Sequence, residues 1–233
     1  MTFSYSVVIP AHNAALTIGE SIASVMAQTI LPEAIIVVDD GSTDQTAAVA
    51  RNCSGPVTVV SQANLGPGGA TTTGFHRVAT PHFATLDADD IWLPHKMATQ
   101  GELLLGNPEF AGVFSLAREF RDGQPPDAAG SGAVRRLWTR TTMVLKTETA
   151  RAVGDFHDFP GRLGEVIDWL SRSRDLGHRY EMIEDILAMR RVRPGSLSHA
   201  LDAERARGYL VAVRNAMRRR NATLPDGSGS PAT

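Results

Sequence analysis

The stretch Leu86-Asp87-Ala88-Asp89-Asp90-Ile91-Trp92 decides how this chain is read. It continues the apolar run Phe83-Ala84-Thr85-Leu86 and places three carboxylates within four positions. Like charges this close repel and raise one another's pKa unless a cation or hydrogen-bond donors neutralise them. Hard oxygen ligands at a strand end suit Mg²⁺ or Mn²⁺, held by one or two carboxylates together with a substrate's phosphates. An acidic surface turn leading into a helix N-cap is the plainer alternative, since Asp is common in both. The segments upstream favour the cation reading.

Those segments alternate between two periodicities. Tyr5-Ser6-Val7-Val8-Ile9 is a β-rich run ended by Pro10, and Ile18, Ile22 and Val25 then recur at helical spacing. Ala34-Ile35-Ile36-Val37-Val38 is a continuous apolar run, as in strands buried on both faces of a parallel sheet. It stops at Asp39-Asp40-Gly41-Ser42, after which residues 44–52 read as a short helix capped by Ser42 or Thr43. Val57-Thr58-Val59-Val60 is a third strand, Gly66-Pro67-Gly68-Gly69 turns into a helix reaching about residue 79, and residues 82–86 form the fourth strand. Four strands alternating with helices predict an α/β fold with a doubly wound, mostly parallel sheet. Ligands of such sheets bind at the carboxyl ends of the strands, where Pro10, Asp39-Asp40 and Asp87-Asp89 all fall.

The remainder is less regular. Helices are expected over 94–105 and 163–176, strands over 110–120 and 138–146, and a strand around 186–189 within a mixed stretch from 180 to 192. Residues 121–134, rich in Gly, Pro, Asp and Ala, read as a mobile loop. Residues 202–220 form a helix with Ala206, Tyr209, Leu210, Val213 and Met217 on one face, and a polar tail expected to be disordered follows from Asn221.

Bulk properties narrow the class. With 233 residues and 42% hydrophobic content the chain can build one sizeable α/β domain. A net charge of −2 and a pI near 6.4 argue against general nucleic-acid binding. Cys53 is the only cysteine, so there is no intrachain disulfide and no cysteine-based zinc site. Residues 1–10 lack a basic stretch ahead of an apolar one, and no apolar run reaches the roughly 20 residues that span a bilayer. The expectation is a soluble protein of the reducing cytoplasm.

In order along the chain stand Pro10-Ala11-His12-Asn13, Asp39-Asp40-Gly41-Ser42-Thr43-Asp44, Asn64-Leu65-Gly66 and Leu86-Asp87-Ala88-Asp89-Asp90. This series resembles the family 2 glycosyltransferases, closely over about the first hundred residues and loosely beyond. The resemblance implies a GT-A fold, with residues 1–105 as the nucleotide-sugar-binding half and 106–200 as an acceptor-binding, catalytic α+β extension of the same domain. A C-terminal helix at 201–220 and the tail at 221–233 would follow. The implied reaction moves a sugar from a nucleotide-diphosphate donor, foremost a UDP-sugar, to an acceptor hydroxyl with inversion at the anomeric carbon.

The resemblance also assigns residues. Asp39 maps to the acid beside the uracil, while Pro10, Ala11, Asn13, Asp40 and Gly66 line the nucleotide, and His12 stands where the family usually carries Tyr. A divalent ion between the carboxylates and the diphosphate would act as a Lewis acid, which this chain needs because it has no Gly-x-x-x-x-Gly-Lys loop. Asp89 is the expected direct ligand, Asp87 a ligand facing the ribose or a metal-bound water, Ala88 a lining residue and Asp90 a helix cap. The family's base is an acid of a Glu-Asp pair at a helix start. The matching Gly164-Glu165-Val166-Ile167-Asp168 puts Val166 at that place, leaving Glu165 or Asp168, which share a helical face.

Two further departures concern the phosphates. Ala70-Thr71-Thr72 replaces an Ala-Arg-Asn run, and Arg193 replaces a His beside the metal. Arginine does not bind a cation but can grip phosphate as a fork, so Arg191 or Arg193 is expected to close over the diphosphate. Acceptor choice is expected to lie in 121–134 and 155–162. The arginines of 205–220 read as solvated charge at a helix C-terminus, with peripheral contact to an anionic membrane as the alternative.

Other classes fit less well. A dinucleotide dehydrogenase needs glycines directly after the first strand, and none occurs before Gly19. A phosphotransfer receiver needs a lysine near its early acids, and the first 95 residues contain none. A catalytically degenerate nucleotide-diphosphate binder, partner to another enzyme, is the second hypothesis, motivated by Val166, Thr71-Thr72 and Arg193.

Overall fold

The computed structural model describes residues 3–124, 126–127, 129–193 and 203–223. Strands β1 (Tyr5–Ala11), β2 (Ala34–Asp40), β3 (Val57–Gln62) and β4 (His82–Thr85) are parallel neighbours, in the order β3-β2-β1-β4. The continuous apolar runs follow from burial on both faces. Val7, Ile9, Ile35 and Val37 point into a core with Ile18, Ile22 and Val25 of helix α1 (Ile18–Met26) and Ala50 of α2 (Thr46–Arg51). Their alternates Val8, Ile36 and Val38 point the other way, into a second core with Ala70 and Phe75 of α3 (Pro67–Phe75).

The second half joins the same sheet with mixed polarity. After the short β5 (Ile91–Trp92) and α4 (Lys96–Gly106) come β6 (Phe110–Arg121), β7 (Val134–Arg135), β8 (Met143–Lys146), α5 (Thr147–Val153), α6 (Glu165–Asp175), β9 (Arg179–Val192) and α7 (Ala203–Thr223). β8 runs antiparallel to both β4 and β6, β6 pairs parallel with β9, and β9 pairs antiparallel with β5. The sheet is thus parallel through its first half and mixed through its second.

Several elements depart from the sequence reading. Ser42 and Thr43 do not cap α2: Asp44 does that work, accepting the Thr46 amide at 3.0 Å, and Ser42 Oγ accepts the Asn13 amide at 2.9 Å. Residues 138–142 are not strand, because Arg140–Thr142 form a 3₁₀ turn ahead of β8. At the end of the stretch read as a loop, Arg118 donates to the Gly130 and Gly132 carbonyls at 2.6 and 2.9 Å, and Val134 enters β7, which pairs with β6. Residues 221–223 complete α7, and the rest of the expected tail lies outside the described residues.

Helix α7 turns its small residues inward. Gly208 and Ala212 are buried, whereas Tyr209, Leu210, Val213 and Met217 are exposed. A Cβ on Gly208 would lie 2.3 Å from the Leu163 carbonyl oxygen and 2.6 Å from that of Pro160. Such an approach admits only the smallest side chain, so contact distance outranks hydropathy in choosing the inward face.

Gly74 marks the tightest helix-to-sheet contact, its added Cβ falling 2.3 Å from Val8 Cγ1 and 3.2 Å from Val38 Cγ2. Gly74→Val should therefore destabilise the fold by about 3 kcal/mol, the upper end for overpacking. Gly106→Ala, with nothing within 4 Å, should stay within about 0.5 kcal/mol. Urea unfolding midpoints of the two variants check the contrast.

Candidate active site

The carboxyl ends of β1 and β2 form the first wall of a cleft. Pro10 pairs with Val38 and Ala11 with Asp39, which brings both loops to one level. Asn13, held at φ 50°, accepts the Thr43 amide at 2.9 Å through Oδ1, and His12 Nδ1–H donates to the Asp40 carbonyl at 2.9 Å. Asp39 is buried and, among the described residues, receives two long hydrogen bonds, from the Ser42 amide at 3.2 Å and Ser61 Oγ at 3.4 Å. It keeps acceptor capacity for a base edge.

Asp40 and Gly66 are differently employed. The Asp40 carboxylate takes the Gln62 side-chain amide at 2.7 Å and the Leu65 and Gly66 amides at 2.8 Å each, so chain donors fill it. Gly66, at φ 91°, lies against the Asp158 carboxylate, with an added Cβ 2.8 Å from Asp158 Cγ. Asp158 in turn accepts the Gly68 and Gly69 amides at 3.0 and 2.7 Å, capping the N-terminus of α3 from the opposite half of the molecule.

Leaving β4, the chain makes a turn closed by the Asp90 amide on the Asp87 carbonyl at 3.1 Å. Asp87 and Asp89 keep partly exposed carboxylates. Burial first, and then the charge of Asp87, raises the Asp89 pKa above the ordinary carboxylate range. Asp90 caps no helix. It is buried and accepts Thr141 Oγ1–H at 2.5 Å and the Arg191 amide at 2.8 Å, which fasten the turn to β9. Among the described residues no group of three or more metal-ligating side chains forms. Two carboxylates that repel suit a cation completing its shell from a diphosphate and water, as Mg²⁺ does.

Arg140 is the residue that sequence reading missed. The β4–β8 register pairs His82 with Lys146 and Ala84 with Val144. Continued outward, it carries Arg140 to the level of the acidic turn, and Thr85 Oγ1–H donating to its carbonyl at 2.7 Å holds it there. The guanidinium donates from Nε to Asp87 Oδ1 at 2.6 Å and from a terminal nitrogen to Glu165 Oε1. Burial alone would depress the Arg140 pKa, but Asp87 and Glu165 outweigh it and hold it above the ordinary value. Glu165 is buried at the start of α6, and that burial raises its pKa against the pull of Arg140.

The other candidates separate. Val166 is in the core beside Phe156 and Trp169, so the family's base position offers nothing to the cleft. Asp168 does not face the cleft either: it is 2% exposed and paired with Arg172 at 2.9 Å and Arg219 at 3.2 Å, which ties α7 to α6. Arg191, expected over a diphosphate, is buried across the Phe120 ring. Its guanidinium is divided among Glu20, Asp122 and the Asp89 carbonyl. Arg193 remains partly exposed, 3.5 Å from Asp89.

With the cleft in place, comparison with known proteins is informative. Residues 6–148 match the model of glycosyl transferase family 2. The chain belongs to that family. The succinoglycan biosynthesis protein ExoU of Rhizobium meliloti is 33% identical over 221 residues, covering 82% of this chain and 63% of its own. An uncharacterised glycosyltransferase of Nostoc, alr2836, is 41% identical over 96 residues, 40% of this chain and 30% of its own. The chain thus spans less than two thirds of the length of these curated relatives.

Solved structures share the fold. S. aureus TarS (residues 1–349) with UDP-GlcNAc superposes with a TM-score of 0.72 at 18% identity, over 96% of this chain and 68% of that one. The mannosyltransferase PcManGT of Pyrobaculum calidifontis with GDP-Man and Mn²⁺ gives 0.71 at 18%, over 92% and 64%. The fold is GT-A.

Removing the charge of Asp168 leaves Arg172 and Arg219 without their shared partner. Breaking a buried pair costs about 3–5 kcal/mol, and the one-third exposure of Arg219 sets Asp168→Asn at about 2–3 kcal/mol. Denaturant unfolding should show this loss, while nucleotide affinity of the folded fraction should match that of the parent.

Proposed function

We propose that this protein transfers a sugar from a nucleotide-diphosphate donor, a UDP-sugar in the first instance, to an acceptor hydroxyl with inversion. The observation that carries the reading is the bridge Asp87–Arg140–Glu165, which sets a donor-side acid and a buried acid of the opposite half on one guanidinium. Family membership and the GT-A fold support it. In this reading Asp39 accepts from the base edge, with Pro10, Ala11 and Asn13 shaping the wall beside it. Asp89 and Asp87 hold Mg²⁺ or Mn²⁺, with Ala88 between them. When bound, the cation neutralises charge developing on the leaving diphosphate. Arg193 adds a fork toward the same phosphates.

Glu165 is the proposed base, removing the acceptor proton as the hydroxyl attacks the anomeric carbon from the face opposite the leaving group. Its position at the start of α6, beside Arg140, fixes its direction. The second reading, a nucleotide-diphosphate binder without transfer activity, draws on Val166 being in the core where the family places its base.

A thermal-shift panel of nucleotides and donor sugars, with and without Mn²⁺, tests base and metal together. Asp89→Ala should lose both the Mn²⁺-dependent shift and slow donor hydrolysis; retention of both overturns the assignment. A pure binder gives the shift with no hydrolysis above buffer.

Glu165→Gln should keep donor affinity and lose about 10²- to 10⁴-fold in transfer. The raised pKa of Glu165 also fixes a pH profile. Below that pKa the carboxylate is protonated and accepts no proton, so the acid limb of kcat/KM should lie above the ordinary Glu range. A kcat/KM limb within or below that range speaks against Glu165.

A further inference from the structure

Helix α7 hides its small residues and displays its large apolar ones. Tyr209, Val213 and Met217 follow at intervals of four along one exposed row, with Leu210 beside them; Leu210 and Met217 are 67% and 62% exposed. Single apolar side chains are ordinary on a surface, but four on one helical face form a patch. The next row begins at Leu210 and continues, again at intervals of four, with Arg214 and Arg218. Arg207 lies on that side one turn earlier, and all three arginines are exposed with no ion pair among the described residues. From residue 205 to 223 the sequence contains no acid.

We propose that this face of α7 docks on an anionic lipid bilayer, its apolar row in the acyl boundary and its arginine row among the head groups. A helix with an apolar row and a flanking basic row meets the two layers of a membrane interface at once. Each arginine near a negatively charged leaflet adds attraction that an uncharged surface does not offer. A second copy of the chain is the poorer occupant, because face-to-face docking would bring two arginine rows together with no acid between them. The opposite side of the helix is already committed, with Gly208 and Ala212 inward and Arg219 on Asp168 and Asp175. The proposal does not depend on the donor or the base.

Co-sedimentation of the full chain with phosphatidylcholine vesicles, with and without about one third phosphatidylglycerol, reads the docking directly. The protein should pellet with the anionic vesicles alone and be released by high salt. Arg214→Ala with Arg218→Ala should weaken partitioning about 25-fold, at roughly fivefold per arginine. Leu210→Glu with Met217→Glu should abolish it. These side chains are exposed, so circular dichroism and the thermal midpoint should stay at parental values. Absence of anionic-vesicle binding overturns the proposal, as does binding unchanged in both double variants. So does a dimer by light scattering that Leu210→Glu with Met217→Glu disperses.

Discussion

The buried guanidinium of Arg140 joins the two halves of this molecule at the acidic turn. Arg140 reaches Asp87 on one side and Glu165 on the other, and neither acid would be stable so close to the other without it. The cation is there because β8 runs antiparallel to β4, so the residues before β8 arrive at the end where β4 delivers its acids. A parallel strand in that place would bring its last residues to this edge instead. Sheet polarity and site electrostatics are therefore one constraint.

Around that bridge the acidic turn is divided by depth. Asp90, the innermost carboxyl group, is sealed by Thr141 and the Arg191 amide, and Arg191 itself is held among Glu20, Asp122 and the Asp89 carbonyl. These fixed contacts leave Asp87 and Asp89 as the outward pair. Three clustered acids thus become one structural anchor and two partly exposed carboxylates, because only the outer two retain exposure.

The parallel half was legible because strands buried on both faces read as unbroken apolar runs, and because Asp39, Asp87 and Asp89 stop those runs at the carboxyl edge of the sheet. What was hidden depended on partners distant in sequence. Arg140 acquires its neighbours through an antiparallel register that no local pattern announces. Glu165 and Asp168 share one helical face, and the pairing of Asp168 with Arg219 depends on α7, which arrives some fifty residues later in the chain. Along 179–192 the pairing with β6 is interrupted by register shifts near Gly112 and Leu116, which blur the alternation that marks a strand. The inward face of α7 has no hydropathy signal, because the fold needs glycine and alanine there and leaves the large apolar residues outside.

The way α7 is attached has a dynamic consequence. A glycine contact, an alanine and arginine–carboxylate pairs hold it, and among the described residues it buries no large apolar side chain fully. Such an element opens at a lower free energy than the core and forms its own cooperative unit. Its amides will exchange with solvent deuterium ahead of those in β1 and β2, and added salt will widen the gap by screening the pairs that pin it.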